Sequence, residues 1–194
     1  MKKIILSAIA VCAFGFANAQ DKDGSGLASG NIVLSGDIAY ASTSQADAKS
    51  SGFVLSPGLG YMMSDNLMIL GSVGISSGSS NDGTPGAADV KTSGLDLNAG
   101  VRYFFTPADK FSLSLGGVFG YGSSKEGEVK TNTIGLNVPV GLHYFMSDHF
   151  AINATWGGLG YTSEKVDAEG AEALNTMGLG LNMSSVSFGL LYKL

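Results

Sequence analysis

Cysteine is missing from this chain beyond its first few residues: the single one, Cys12, lies in an apolar leader. No disulfide and no thiolate chemistry is therefore available to the rest of the protein. Histidine is nearly as scarce, with His143 and His149 alone, and both flank one short connection. A serine hydrolase or acyltransferase of the membrane-lipid kind needs a histidine base beside its nucleophile at the outer rim, and none is placed there. Charged residues make up 14% of the chain, against about 25% in a typical soluble domain. Basic residues are in the minority, 11 against 16 acidic. No basic stripe exists to carry a nucleic-acid footprint.

Long apolar runs are also lacking, apart from the first. Met1-Lys2-Lys3, the apolar stretch Ile4 to Phe16 and the small residues of Ala17-Asn18-Ala19 predict a cleaved secretion signal over residues 1–19, with the mature domain spanning 20–194. The run is shorter than the roughly 20 residues of a spanning helix. Val11 before Cys12 is a poor fit to a lipoprotein site. Cleavage removes Lys2 and Lys3 and takes the formal charge from −5 to −7. No later segment is apolar enough for a helical span, so a helical membrane protein is excluded.

Glycine, by contrast, is abundant, at 29 residues. Four copies of Gly-x-x-Tyr, at Gly58-Tyr61, Gly100-Tyr103, Gly141-Tyr144 and Gly189-Tyr192, recur at intervals of 42, 41 and 48 residues. Such a spacing fits one strand up, a loop, one strand down and a tight turn. Strict alternation supplies the strands: Leu95, Leu97, Ala99, Val101 and Tyr103 against Asp96, Asn98, Gly100 and Arg102 is the cleanest case. Similar patterns begin near Ile32, Phe53, Leu67, Phe111, Ile134, Phe150 and Val186, which brings the count to eight.

Each pattern holds for about 9 to 12 residues, longer than the strands of most soluble sheets and sufficient to cross a tilted bilayer. Connections after Met62, Phe105 and Phe145 are short; those after Tyr40, Ser76, Tyr121 and Tyr161 are longer and polar. Short turns on one side and long loops on the other is the outer-membrane arrangement, with the short side periplasmic. The expected fold is all-β: an eight-stranded antiparallel up-and-down transmembrane barrel. Tyr61, Tyr103, Tyr144 and Tyr192 share the apolar parity at equivalent strand ends and predict a periplasmic aromatic girdle. Pro57, Pro139 and the parity change between Trp156 and Tyr161 predict bulges.

The leader ending Phe16-Ala17-Asn18-Ala19-Gln20, the turn Tyr144-Phe145-Met146-Ser147-Asp148-His149-Phe150 and the close Phe188-Gly189-Leu190-Leu191-Tyr192-Lys193-Leu194 resemble the small outer-membrane β-barrel (porin-like, OmpX-type) family in a form common in Bacteroidota. The resemblance covers the mature chain. It implies residence in the outer membrane, contact with its lipid, and insertion by the barrel assembly machinery. Family members commonly end in Phe, where this chain has Leu194.

Eight strands enclose room for side chains rather than a wide channel. The inward parity holds Asp37, Asp96, Asn98, Arg102, Asn137, His143 and Lys193, read first as a polar filling. A narrow path with Asp37 and Asp96 setting selectivity is the sharper alternative. Arg102 lies six positions from Asp96, roughly 20 Å along the strand, so the two cannot pair. The carboxylates Glu164, Asp167, Glu169 and Glu172 lack the spacing of a calcium loop and read as a solvated loop. Neither Gly120-Tyr121-Gly122 nor Gly157-Gly158-Leu159-Gly160 opens a helix, so no nucleotide site is expected. Neither cofactor nor metal is called for. The resulting expectation is a non-enzymatic barrel with external loops as its interaction surface and an unidentified extracellular ligand; a small porin or hydrophobic-solute transporter is second, and a lipid-modifying enzyme third.

Overall fold

A computed structural model describes residues 26–84, 86–180 and 187–194, so the leader expected over 1–19 lies outside the described residues. Alternation of apolar and small polar residues becomes nine strand segments: β1 (Ile32–Gln45), β2 (Ala48–Met62), β3 (Leu67–Asn81), β4 (Val90–Phe104), β5 (Phe111–Glu126), β6 (Val129–Phe145), β7 (Phe150–Val166), β8 (Leu174–Leu179) and β9 (Ser187–Lys193). Each pairs antiparallel with its sequence neighbour from β1 to β8, and β9 pairs with both β7 and β1. β8 and β9 are the two halves of one stave, which makes eight. With β6 bonded to β7 and β9 to β1, the sheet closes on itself and leaves no continuous edge.

The halves of the eighth stave do not share a register. Thr155 of β7 pairs with Ser187 and Leu159 with Leu179, so four steps along β7 face eight along the opposite chain. A second irregularity lies where Val138 pairs with Leu159 but Val140 pairs with Trp156. Pro139, which has no N–H to give the ladder, sits there opposite Gly157 and Gly158, at the bulge the sequence predicted. Pro57 interrupts the pairing with β3 without shifting its register.

Strand lengths correct the sequence reading. The first seven strands run 14 to 17 residues rather than about 9 to 12. Two of the expected long loops are two-residue hairpins, Ala46-Asp47 and Gly127-Glu128. Serine, threonine and lysine keep the ladder going past the apolar zone, where water satisfies what a side chain leaves open. Loops of substance remain at 82–89 and 167–173.

Side chains sort by parity. Leu59, Ile69, Val73, Leu97, Val101, Leu113, Leu136 and Ile152 point outward and are exposed. An apolar belt of this extent around a whole barrel suits hydrocarbon, far exceeding the patch a soluble monomer exposes. On β4, Leu97 is 45% exposed while its neighbour Asn98 donates from Nδ2 to Ser72 Oγ at 3.3 Å on the inner side. Arginine at Leu97 is accordingly expected to destabilise the refolded barrel by about 2–4 kcal/mol, the cost near the bilayer midplane. Arginine at Asn98 meets polar neighbours and is penalised by crowding, which truncating Ser72 should relieve. Equilibrium unfolding in lipid vesicles checks both; a Leu97→Arg barrel as stable as its parent contradicts the assigned faces.

Candidate functional site

The interior is built from polar side chains laid over glycines. A Cβ placed at Gly122 would lie 2.7 Å from Asp96 Oδ1, one at Gly120 2.6 Å from Asn98 Oδ1, and one at Gly160 2.8 Å from Asn137 Oδ1. Gly189 is flanked on both sides, by Asp37 Oδ1 at 2.7 Å and Asn153 Oδ1 at 2.8 Å. Absence of a side chain on one stave is what lets a carboxylate or amide lie flat on the next. Much of the glycine content is thereby explained. In the middle and upper lumen Asp37, Asp96 and Asn137 remain exposed.

Towards the short turns the interior changes character. Leu27, Val33, Met62, Met68, Phe104, Phe145, Ala151 and Leu191 form a buried apolar cluster with Leu70 packed against it. Each large member contributes about 1.5–3 kcal/mol through burial. Three of these follow a girdle tyrosine directly: Tyr61-Met62, Tyr103-Phe104 and Tyr144-Phe145. One residue faces out and the next faces in, so a single repeat writes both the girdle and the floor. Above the cluster lie the buried Ser112, Ser114 and His143, with Arg102 half-buried. Phe104 packs on the His143 ring at 4.9 Å.

The chain before β1 completes the floor. Leu27 donates its N–H to Pro107 O at 2.6 Å, Gly30 to Met62 O at 2.8 Å, and Ser29 to Asp65 Oδ1 at 2.9 Å. Lys193 Nζ donates to Gly26 O at 3.1 Å. Gly26 has φ +100° and a Cβ added there would run into the Pro107-Ala108 backbone, a position that only glycine fits without strain. Residues 26–31 thus tie the first and second short connections to the last strand. The lumen is a cup: polar and open above, apolar and shut below. It departs from the uniform polar filling expected from parity alone, because the inward positions next to the turns are Met and Phe rather than Ser and Asn.

The four girdle tyrosines face outward at that same end. Tyr61, Tyr103 and Tyr144 are exposed, Tyr103 against the edge of Phe105 at 5.4 Å. Tyr192 is half-buried, stacked on His149 at 5.9 Å and edge-on to Phe150 at 5.0 Å. Arg102, His143 and Lys193 gather near the floor, far from Asp37 and Asp96.

One pair resembles catalytic chemistry. Ser114 Oγ lies 2.8 Å from His143 Nε2. Both are fully enclosed, and among the described residues no group pairs with His143 Nδ1 to orient the ring. Ser114 also donates to Gly141 O at 3.4 Å. The arrangement serves packing. Among the described residues no group of three or more His, Cys, Asp or Glu side chains is placed to hold a metal ion.

At the opposite end, Gly83 (φ +83°) brings loop 82–89 down onto the first hairpin, where an added Cβ would lie 2.7 Å from Ala48 N. Asn81 Nδ2 donates to Ala87 O at 3.1 Å and to Asp89 Oδ1 at 3.0 Å, which closes the loop on itself. Asp82 accepts from Thr84, and these hydrogen bonds hold its carboxyl below the ordinary aspartate value. Between loop and hairpin is a cavity of about 780 Å³ lined mainly by serines, threonines and Asn81. The sequence reading did not single it out, since its parts lie on β1, β2, β3 and the loop.

Two solved structures are similar to this chain. The outer membrane protein OprG from Pseudomonas aeruginosa matches in structure with a TM-score of 0.54 at 15% identity, over 89% of this chain and 99% of that one. Neisserial surface protein A matches with a TM-score of 0.47 at 17% identity, over 86% of this chain and 99% of that one. A search of curated proteins returns no match. The model of the outer membrane protein beta-barrel domain matches residues 5–193, and the chain belongs to that family.

Proposed function

We propose that this barrel is a non-enzymatic outer-membrane protein whose short turns face the periplasm and whose external rim is an interaction surface, the lumen being closed to solutes. The apolar floor carries this reading. A path for ions or sugars would have to pass Leu27, Met62, Phe104 and Phe145, all buried in contact with one another's cluster. Lipid hydrolysis finds no support in a Ser114-His143 pair sealed from both water and lipid. A cleaved leader and insertion by the barrel assembly machinery fit the same picture.

Transport of a small hydrophobic solute is the second reading. A recess of about 420 Å³ beside the Pro139 bulge, lined in part by Trp156, Leu159 and Thr162, favours it. Orientation is checked on intact cells: tags inserted within 82–89 or 167–173 should be labelled by an external antibody, and tags at Asp65 or Asp148 should not. Labelling at Asp148 would invert the arrangement.

A further inference from the structure

Five strands carry the same outward sequence at the loop end: an apolar residue, then serine or asparagine, then lysine, at alternate positions. They read Phe53/Ser51/Lys49 on β2, Leu95/Ser93/Lys91 on β4, Tyr121/Ser123/Lys125 on β5, Ile134/Asn132/Lys130 on β6 and Tyr161/Ser163/Lys165 on β7. All five lysines are exposed and share the parity of the apolar belt. They are five of the nine basic residues after residue 19. The two interior aspartates, Asp37 and Asp96, are on the other side of the wall.

Height along the barrel follows from counting. Tyr61 to Phe53 and Tyr103 to Leu95 are eight positions, and Tyr144 to Ile134 is ten. A strand rising about 3.3 Å per residue at a tilt near 40° gains roughly 2.5 Å of height per residue, so the outward apolar zone is about 20–25 Å tall. That matches the hydrocarbon band of an outer-membrane barrel. Each lysine stands four positions further, roughly 10 Å beyond the band, where lipid headgroups lie.

Neighbouring lysines also oppose one another. Lys125 and Lys130 are direct cross-strand partners, and Lys165 pairs with Asn132 one strand over. Like charges placed opposite each other destabilise a sheet. Internal compensation is slight: Lys125 meets Glu128 at 3.7 Å and Lys130 meets Asp167 at 3.6 Å, with all four side chains about half exposed or more. On the other side of the barrel, Lys49 and the hydroxyls of Ser42, Ser44, Ser51 and Ser79 line the cavity under loop 82–89. Asp47 and Asp89 in that lining make it less basic than the β5–β7 face.

We infer that the lysine ring binds the phosphorylated sugar headgroup of an outer-leaflet glycolipid, with the three-lysine face of β5, β6 and β7 as its strongest site. Lysines meet phosphates by charge-assisted hydrogen bonds, while the Ser/Asn row beneath them meets sugar hydroxyls. The inference rests on the orientation proposed above.

Its test uses the mature protein refolded in phosphatidylcholine vesicles containing a bis-phosphorylated lipid A, the same lipid dephosphorylated, or phosphatidylglycerol at equal charge. After mild detergent extraction, lipid retained per barrel is counted by native mass spectrometry. The parent should retain the bis-phosphorylated lipid, and retention should fall about tenfold or more for the dephosphorylated lipid and for the K125Q/K130Q/K165Q variant, the scale of losing several charge-assisted contacts. Lys110→Gln, at a short turn, should leave retention unchanged. Equal retention by the triple variant, equal retention of the dephosphorylated lipid, or phosphatidylglycerol held as well as the glycolipid would each overturn it. The lipid arms need only the parent protein, so misfolding of the variant cannot hide the answer. Cell-surface tagging reports orientation separately, so a failure here leaves that reading standing or falling by itself.

Discussion

Deleting Tyr192 to Leu194 should abolish membrane insertion and leave aggregate in the periplasm. β9 is seven residues long and carries the closure alone among the described residues, pairing with β1 from Val33 to Gly36 and with β7 from Phe150 to Thr155. The deletion removes the pairs Leu34-Tyr192 and Val33-Lys193 on one side and Phe150-Tyr192 on the other. It also removes the backbone bonds Lys193 N to His149 O at 2.7 Å and Leu194 N to Ile32 O at 2.9 Å. Each backbone group left open loses a hydrogen bond of the seam, and the deletion exposes unpaired strand edges on β1 and β7 in a sheet that must be closed to span the bilayer. Loss of Lys193 further frees Gly26 and the segment that stoppers the barrel. Heat-modifiable electrophoretic mobility of membrane fractions is the readout. Leu194→Phe, which keeps every strand bond, should insert normally, whereas normal yield of the deletion would mean the seam is closed some other way.

Phe104→Ala should destabilise the barrel by about 3–5 kcal/mol, the usual cost of emptying a phenylalanine site in a core. Phe104 is 0% exposed, belongs to the floor cluster and packs on His143. Tyr103→Ala, one residue away, removes an exposed outward ring whose place lipid can take, so its effect should be clearly smaller. Urea unfolding in vesicles compares the two. Equal losses would show that Phe104 is no more enclosed than its neighbour and would dissolve the floor.

The girdle repeat and the alternation made strand number, parity and closure legible, because a period of two in a half-apolar strand is a direct record of which side is solvent. The Pro139 bulge was legible too, since proline inside a closed sheet and a parity slip at Trp156 to Tyr161 have one shared cause. Strand ends were harder. Ser76 to Asn81 and Ser123 to Glu126 look like loop by composition, yet they continue the ladder because antiparallel pairing above the bilayer needs no apolar face. The floor was written in Met62, Phe104 and Phe145, but their parity was read as polar from the Ser and Asn further up each strand. Gly26, bonded to Lys193, and Leu27, bonded to Pro107, join segments far apart in sequence, a relation that no local pattern records. The lysine ring, likewise, is visible only after registers align five strands at one height.

Closure of the lumen is the central claim, and single-channel recording of the purified, refolded barrel in a planar bilayer tests it most directly. A floor made of Leu27, Met62, Met68, Phe104 and Phe145 predicts a silent membrane at moderate voltage, with conductance no greater than that of the protein-free bilayer. Stable, reproducible current steps from the parent protein would contradict it, because ions would then be crossing a layer that the packing leaves no room to cross.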